Sequence, residues 1–152
     1  MKITIISTHH HNIYLLLIFL LSSLNWSFGQ ATENLKGHYI GDGKIIVNWC
    51  NQERLSFDIN IDNFGTVTGK IGDATIHIGH LKKNTWGPKK YLIIADLDGY
   101  LVEEDLIRRK SIKITLNVVD RRLIGGFGTS GFKIGGKKKM ILSGSNLVLE
   151  KQ

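Results

Sequence analysis

Three oxygen-bearing side chains at alternate positions, Asp58, Asn60 and Asp62 in "DINIDNFGTVTGKIG", are the first candidates for chemistry in this chain. Alternating acids of this kind ligate calcium in a helix–loop–helix site, which also needs Gly at the sixth position and Glu at the twelfth. Counted from Asp58, those positions hold Asn63 and Gly69. Ile59 and Ile61 between the acids continue a strand alternation. The pattern predicts a polar strand face running into a hairpin turn, and no metal site.

The glycine-rich "GGFGTSGFKIGGKKK" (125–139) contains a G-x-G-x-x-G and the first part of a phosphate loop. Both motifs hold phosphate with backbone N–H groups at a helix N-terminus. The following "KKMILSGSNLVLE" reads as strand, and Lys138 stands where a hydroxyl would hold magnesium. No nucleotide site is expected; a simple anion beside the three lysines is the most this loop offers. His77 and His80 face opposite sides of a regular strand and share a metal only across a bulge. Asp96 and Asp98 share a strand face, and Glu103, Glu104 and Asp105 form an acidic knot beside Arg108, Arg109 and Lys110. Cys50 beside Trp49 reads as a buried small hydrophobe. No nucleophile meets a base, so no catalytic residue and no cofactor is assigned.

Basic residues are the remaining signal. Lys82-Lys83, Lys89-Lys90, Arg108-Arg109-Lys110, Arg121-Arg122 and Lys137-Lys138-Lys139 all fall at predicted turns or strand ends. The formal charge is +7, which favours anionic partners. Trp86, between Lys82-Lys83 and Lys89-Lys90, pairs ring stacking with positive charge. Lys82, Lys83, Trp86, Lys89, Lys90, Lys137, Lys138 and Lys139 are therefore the expected anion-binding residues.

These candidates hang on short alternating runs. "KIIVNWC" (44–50), "RLSFDINID" (54–62), "TVTGKIG" (66–72), "ATIHIGHL" (74–81), "YLIIADL" (91–97), "SIKITLNVV" (111–119), "LIGGFG" (123–128), "KMILSG" and "NLVLE" are separated by Gly, Asn and Asp turns. Period-two runs of this length predict an antiparallel all-β domain. About eight strands must close into a barrel or stack as a sandwich to bury their apolar faces. Gly69, Gly72, Gly79, Gly125, Gly126 and Gly128, in or beside strands, favour the bends of a barrel over a sandwich. "GYLVEEDLIRRK" (99–110) holds one helical turn at most. "KKNTWGPKK" (82–90), with the only proline, is the long-loop candidate.

The N-terminus reads as a targeting segment. Lys2 precedes the apolar "IYLLLIFLL" (13–21), and Ser27 and Gly29 form a small-x-small exit before Gln30. The run is short of the roughly 20 residues that span a bilayer. Cleavage after Gly29 is expected, leaving a single domain from residue 30 to 152 with no transmembrane segment, secreted or periplasmic. With one cysteine in the chain, that domain forms no internal disulfide and holds by packing alone.

Gly37-His38-Tyr39 in "GHYIGDGKIIVNW" resembles the glycine–residue–aromatic opening of the first strand in lipocalin-like (calycin) barrels, which usually carry Trp where Tyr39 stands. "VTGKIGDA" and "TSGFKIGGKKKM" are similar to stretches of uncharacterised exported bacterial proteins. The calycin resemblance implies a cavity for a small apolar or amphipathic ligand, with Tyr39, Trp49, Phe57 and Tyr91 as candidate lining. Two functional expectations follow: a non-catalytic carrier of such a ligand, or a basic module that binds an anionic envelope polymer or headgroup through its lysine-rich loops.

Overall fold

The computed structural model describes residues 35–84, 89–103, 109–129 and 141–152. They form β1 (Gly37–Ile45), β2 (Arg54–Ile61), β3 (Thr66–Ile71), β4 (Ala74–Lys83), β5 (Tyr91–Asp98), β6 (Ser111–Val119), β7 (Arg122–Thr129) and β8 (Ser143–Lys151). Each strand pairs antiparallel with the next, and β8 returns to β1 with Tyr39 opposite Lys151 and Ile45 opposite Gly144. The sheet is a closed barrel in sequence order. Closure leaves no strand edge unpaired, which an open sheet would have to protect by other means.

The alternation in the sequence is the inside–outside pattern of the wall. On β2, Leu55, Phe57, Ile59 and Ile61 point inward, while Arg54, Ser56, Asp58 and Asn60 are exposed. Lys70, Thr75, His77, His80, Asp96 and Lys113 continue the polar exterior around β3 to β6. A barrel spanning a lipid bilayer has the reverse pattern, apolar outside and polar within. Among the described residues, no helix is long and apolar enough to cross a membrane.

Leu55, Ile59, Ile61, Val67, Ile71, Ala74, Ile93, Ala95, Ile114, Leu116, Leu147 and Leu149 have no surface in reach of water, inside the barrel or out. The bore is filled by its own side chains, as an eight-stranded barrel permits. Phe57 packs on Phe127 with ring centroids 5.3 Å apart and planes tilted by 60°. Room for the Phe127 ring comes from Gly43 and Gly144, where a Cβ would run into it.

Two bulges bend the wall. In β8 the register shifts against both neighbours around Asn146, whose φ is 51°. Accordingly, "KMILSG" and "NLVLE" contribute to one bent strand, β8, rather than two. In β4 the register shifts between Ile76 and Ile78, which turns both His77 and His80 to the outside. The expectation that these histidines face opposite sides is thereby corrected. Gly69, at φ 125° and against the Asp58 carbonyl, and Gly125, against the Thr115 carbonyl, sit where the backbones approach too closely for any side chain.

The first strand also differs from the sequence reading. It runs from Gly37 to Ile45, and Ile46 to Cys50 lie beyond it in the β1–β2 connection. Gly41 and Gly43 dilute the apolar signal of the true strand, while the denser "KIIVNW" that follows lies largely outside it. The helical hint at 99–110 is described only at its two ends, which are not helical.

Candidate functional site

An up-and-down barrel sends successive connections to alternate ends. One end carries the start of β1, the end of β8 and the β2–β3, β4–β5 and β6–β7 connections. The other carries β1–β2, β3–β4, β5–β6 and β7–β8. The two ends have different chemistry.

The second end is closed by packing. Leu101, Val102 and Leu142 are buried over it. Trp49 donates its indole N–H to the Ile141 carbonyl at 3.2 Å. The guanidinium of buried Arg109 stacks over that ring at 5.5 Å and reaches the Thr129 hydroxyl at 3.4 Å. Cys50 is half-buried, and its thiol lies 3.6 Å from the Gln52 carbonyl. Exposed charges here are of both signs, Glu53, Asp73, Asp98 and Glu103 with Lys44 and Lys110, and Arg54 is paired to Asp42 on the nearby wall.

Cations collect at the first end. Lys82 and Lys83 finish β4, and Lys89 and Lys90 lead into β5. Asn84 fixes this connection by donating its backbone N–H to the Lys90 carbonyl at 2.7 Å and its side-chain amide to the Lys89 carbonyl at 2.8 Å. The Asn117 side chain accepts from the Lys90 N–H at 2.8 Å. Arg121 and Arg122 occupy the β6–β7 hairpin, Lys36 precedes β1, and Lys151 ends β8. Asp62, Asp120 and Glu150 are the described acids nearby. Among the described residues the ion pairs are His38–Asp58 and Arg54–Asp42, so none of these end cations is in an ion pair with a described residue. Phe64, 90% exposed at the β2–β3 tip, and half-exposed Val118 and Val119 bring apolar surface to the same end.

The opening motif belongs to this end and makes a turn. Asp62 Oδ1 accepts from the Phe64 N–H at 2.8 Å and the Thr66 N–H at 2.7 Å. Desolvation in the turn opposes its ionisation, but hydrogen bonds from Thr66, Phe64 and Gly65 together outweigh this and hold the carboxyl below the usual Asp value. Asp58 accepts instead from the His38 ring at 2.7 Å across the β1–β2 pair.

The four candidate ligand-lining aromatics do not surround one cavity. Phe57 is in the filled core at the middle of the barrel. Trp49 caps the closed end, and half-buried Tyr91 starts β5 at the basic end. Tyr39 is buried near the basic mouth and donates its hydroxyl to the Leu35 carbonyl at 3.0 Å. Burial raises its pKa above the ordinary tyrosine value.

Of the expected anion-binding residues, Lys82, Lys83, Lys89 and Lys90 come together. Trp86 and Lys137–Lys139 lie outside the described residues. The described residues that flank them, Thr129 and Ile141, are at the opposite end of the barrel. In their place the topology adds Arg121, Arg122, Lys36 and Lys151. Their signal in the sequence was the parity of the connection for Arg121 and Arg122, and the return of both chain ends to the same mouth for Lys36 and Lys151.

Two cavities lined by described residues stand out, and neither is the barrel bore. One, of about 630 Å³, is a shallow groove on the outer wall of β5 to β8, floored by Gly126 and Gly128. The other, of about 310 Å³, is a pocket at the basic mouth, lined by Leu35, Tyr39, Val118, Arg121, Leu123 and Lys151. No family model, curated protein or solved structure matches this chain.

Proposed function

We propose that this protein is an exported, non-catalytic binding module that holds an anionic partner of the cell envelope, a polymer or a lipid headgroup, against the basic end of its barrel. The observation carrying this reading is the gathering, by topology, of Lys82, Lys83, Lys89, Lys90, Arg121 and Arg122 at one end, none of them in an ion pair with a described residue. Side chains held in salt bridges would have to break them to bind; these need not. The filled bore argues against a guest deep in the barrel and moves binding to its mouth. Exposed Phe64, Val118 and Val119 add apolar contact for a lipid surface. Export rests on the leader read at residues 1–29.

The test is cosedimentation of the mature chain with vesicles containing anionic lipid, and with a soluble polyanion, across a salt series. Binding that weakens steeply with salt supports the reading. Reversing Lys82 and Lys89 to Glu should abolish it, while reversing Lys70 and Lys113 on the wall should not. Equal binding to neutral and anionic vesicles refutes it.

A further inference from the structure

We infer that the 310 Å³ pocket at the basic mouth binds the head and first carbons of a single-chain anionic amphiphile, a carboxylate or phosphate on an alkyl chain. The inference deepens the anion-binding reading of this end and rests on it. The pocket is built in two tiers. Leu35, Tyr39, Val118 and Leu123 supply apolar walls, and Arg121 and Lys151 supply two cations that are in no ion pair with a described residue. Apolar lining with a few convergent charged groups is the make-up of a ligand site, and the volume lies at the small end of the roughly 300–1,000 Å³ such sites occupy. The Tyr39 hydroxyl is spent on Leu35 and holds that wall in place, leaving the two cations to recognise the head.

The backbone supplies a second, independent observation. Arg121 is the second of two residues in the β6–β7 hairpin turn, and its φ is 65°. Turns of this kind ordinarily take Gly there, because a side chain in the left-handed region is disfavoured. An arginine is held instead, on the pocket wall. Backbone strain of this kind is retained where the side chain has a task; here the task is to face an anion. Arg121→Gly should therefore separate function from folding. It removes the guanidinium and relieves the turn, so a structural role and a binding role move in opposite directions.

The experiment is calorimetric titration of the mature chain with decanoate below its micelle threshold, and with decyltrimethylammonium as the same chain under the opposite charge. Decanoate should bind and the ammonium should not. Arg121→Gly should weaken decanoate by roughly tenfold or more, the scale of one charged hydrogen bond, while raising the melting temperature. Lys151→Gln should weaken it similarly. Lys82→Glu with Lys89→Glu, outside the pocket, should weaken vesicle binding far more than decanoate binding. Equal binding of both amphiphiles, or full affinity in the Arg121→Gly variant, overturns the inference. Binding of anionic vesicles without decanoate also overturns it and leaves the basic-end reading standing. Failure of decanoate, vesicles and polyanion together overturns both.

Discussion

Truncating Phe57 to Ala tests whether the barrel is full. Phe57 is 1% exposed and its ring lies 5.3 Å from that of Phe127. Removing a fully buried phenylalanine costs about 3–5 kcal/mol, and loss of the aromatic pair adds about 0.5–1.5 kcal/mol to what burial alone contributes. The surrounding interior residues have no contact with water, so nothing nearby is free to fill the gap. With a urea slope of about 2 kcal/mol per molar, the midpoint should fall by roughly 2 M. A domain holding only about 5–15 kcal/mol loses much of its stability. If the variant does not fold, Ile59→Val offers a milder probe, with an expected cost of about 0.5–1.5 kcal/mol. The assay is urea unfolding followed by circular dichroism, with benzene titrated into both proteins by NMR. An aromatic-sized apolar void stays dry and takes up benzene, so the Phe57→Ala variant should bind benzene in the core and the parent should not. A loss under about 1 kcal/mol, or benzene already held in the bore of the parent, refutes the filled barrel and restores an interior ligand as the better reading.

Gly125→Ala places a methyl group on the Thr115 carbonyl oxygen; the β6–β7 pair must open, and hydrogen exchange there should rise with a loss of at least about 2 kcal/mol. Asp62 should titrate below ordinary Asp in a carbon-detected NMR titration. Because its folded pKa is depressed, its contribution is present above the unfolded pKa and lost as pH falls through the folded one; Asp62→Asn should flatten that acid-side slope, and an unchanged slope would remove the turn from the account. At the basic end, neutralising Lys82, Lys83, Lys89 and Lys90 one at a time should weaken anionic-vesicle binding about fivefold per charge, the effect of about 1 kcal/mol for each lysine at such a surface. Equal losses on neutralising Lys44 or Lys113 would mean that net charge, not the end, sets affinity.

The wall of the barrel was legible because period two is a direct image of a sheet with one buried face. β2 and β6 were read almost to the residue, since Leu55 to Ile61 and Ile112 to Leu116 alternate without interruption. Glycine obscured β1, where Gly41 and Gly43 replace the side chains that would have marked it. A bulge defeats any reading by strict alternation: His77 and Ile78 both face out because β4 has one residue more than its partners at that point. The filled bore was not legible either. Inward-facing Leu, Ile and Phe are equally suited to packing on one another or to lining a cavity, and only their spacing in three dimensions decides between the two.

The charged end was within reach of the sequence once a closed meander is assumed. In that topology the second, fourth and sixth connections meet the two chain ends of the barrel at one mouth, and the odd connections meet at the other. Lys89-Lys90 and Arg121-Arg122 fall in or beside even connections, while Lys137-Lys138-Lys139 falls in an odd one. Grouping the lysines by composition alone takes no account of which connection carries each cluster, and misses Lys36 and Lys151. The same rule underlies the proposed binding. On the wall, strand pairing fixes which side chains share a neighbourhood, and here it alternates polar residues of both signs, His38 with Asp58 and Arg54 with Asp42. At the mouth, cations from distant parts of the sequence converge with no ion pair to a described residue, and a filled barrel leaves its mouth as the place where the proposed anion would meet several of them together.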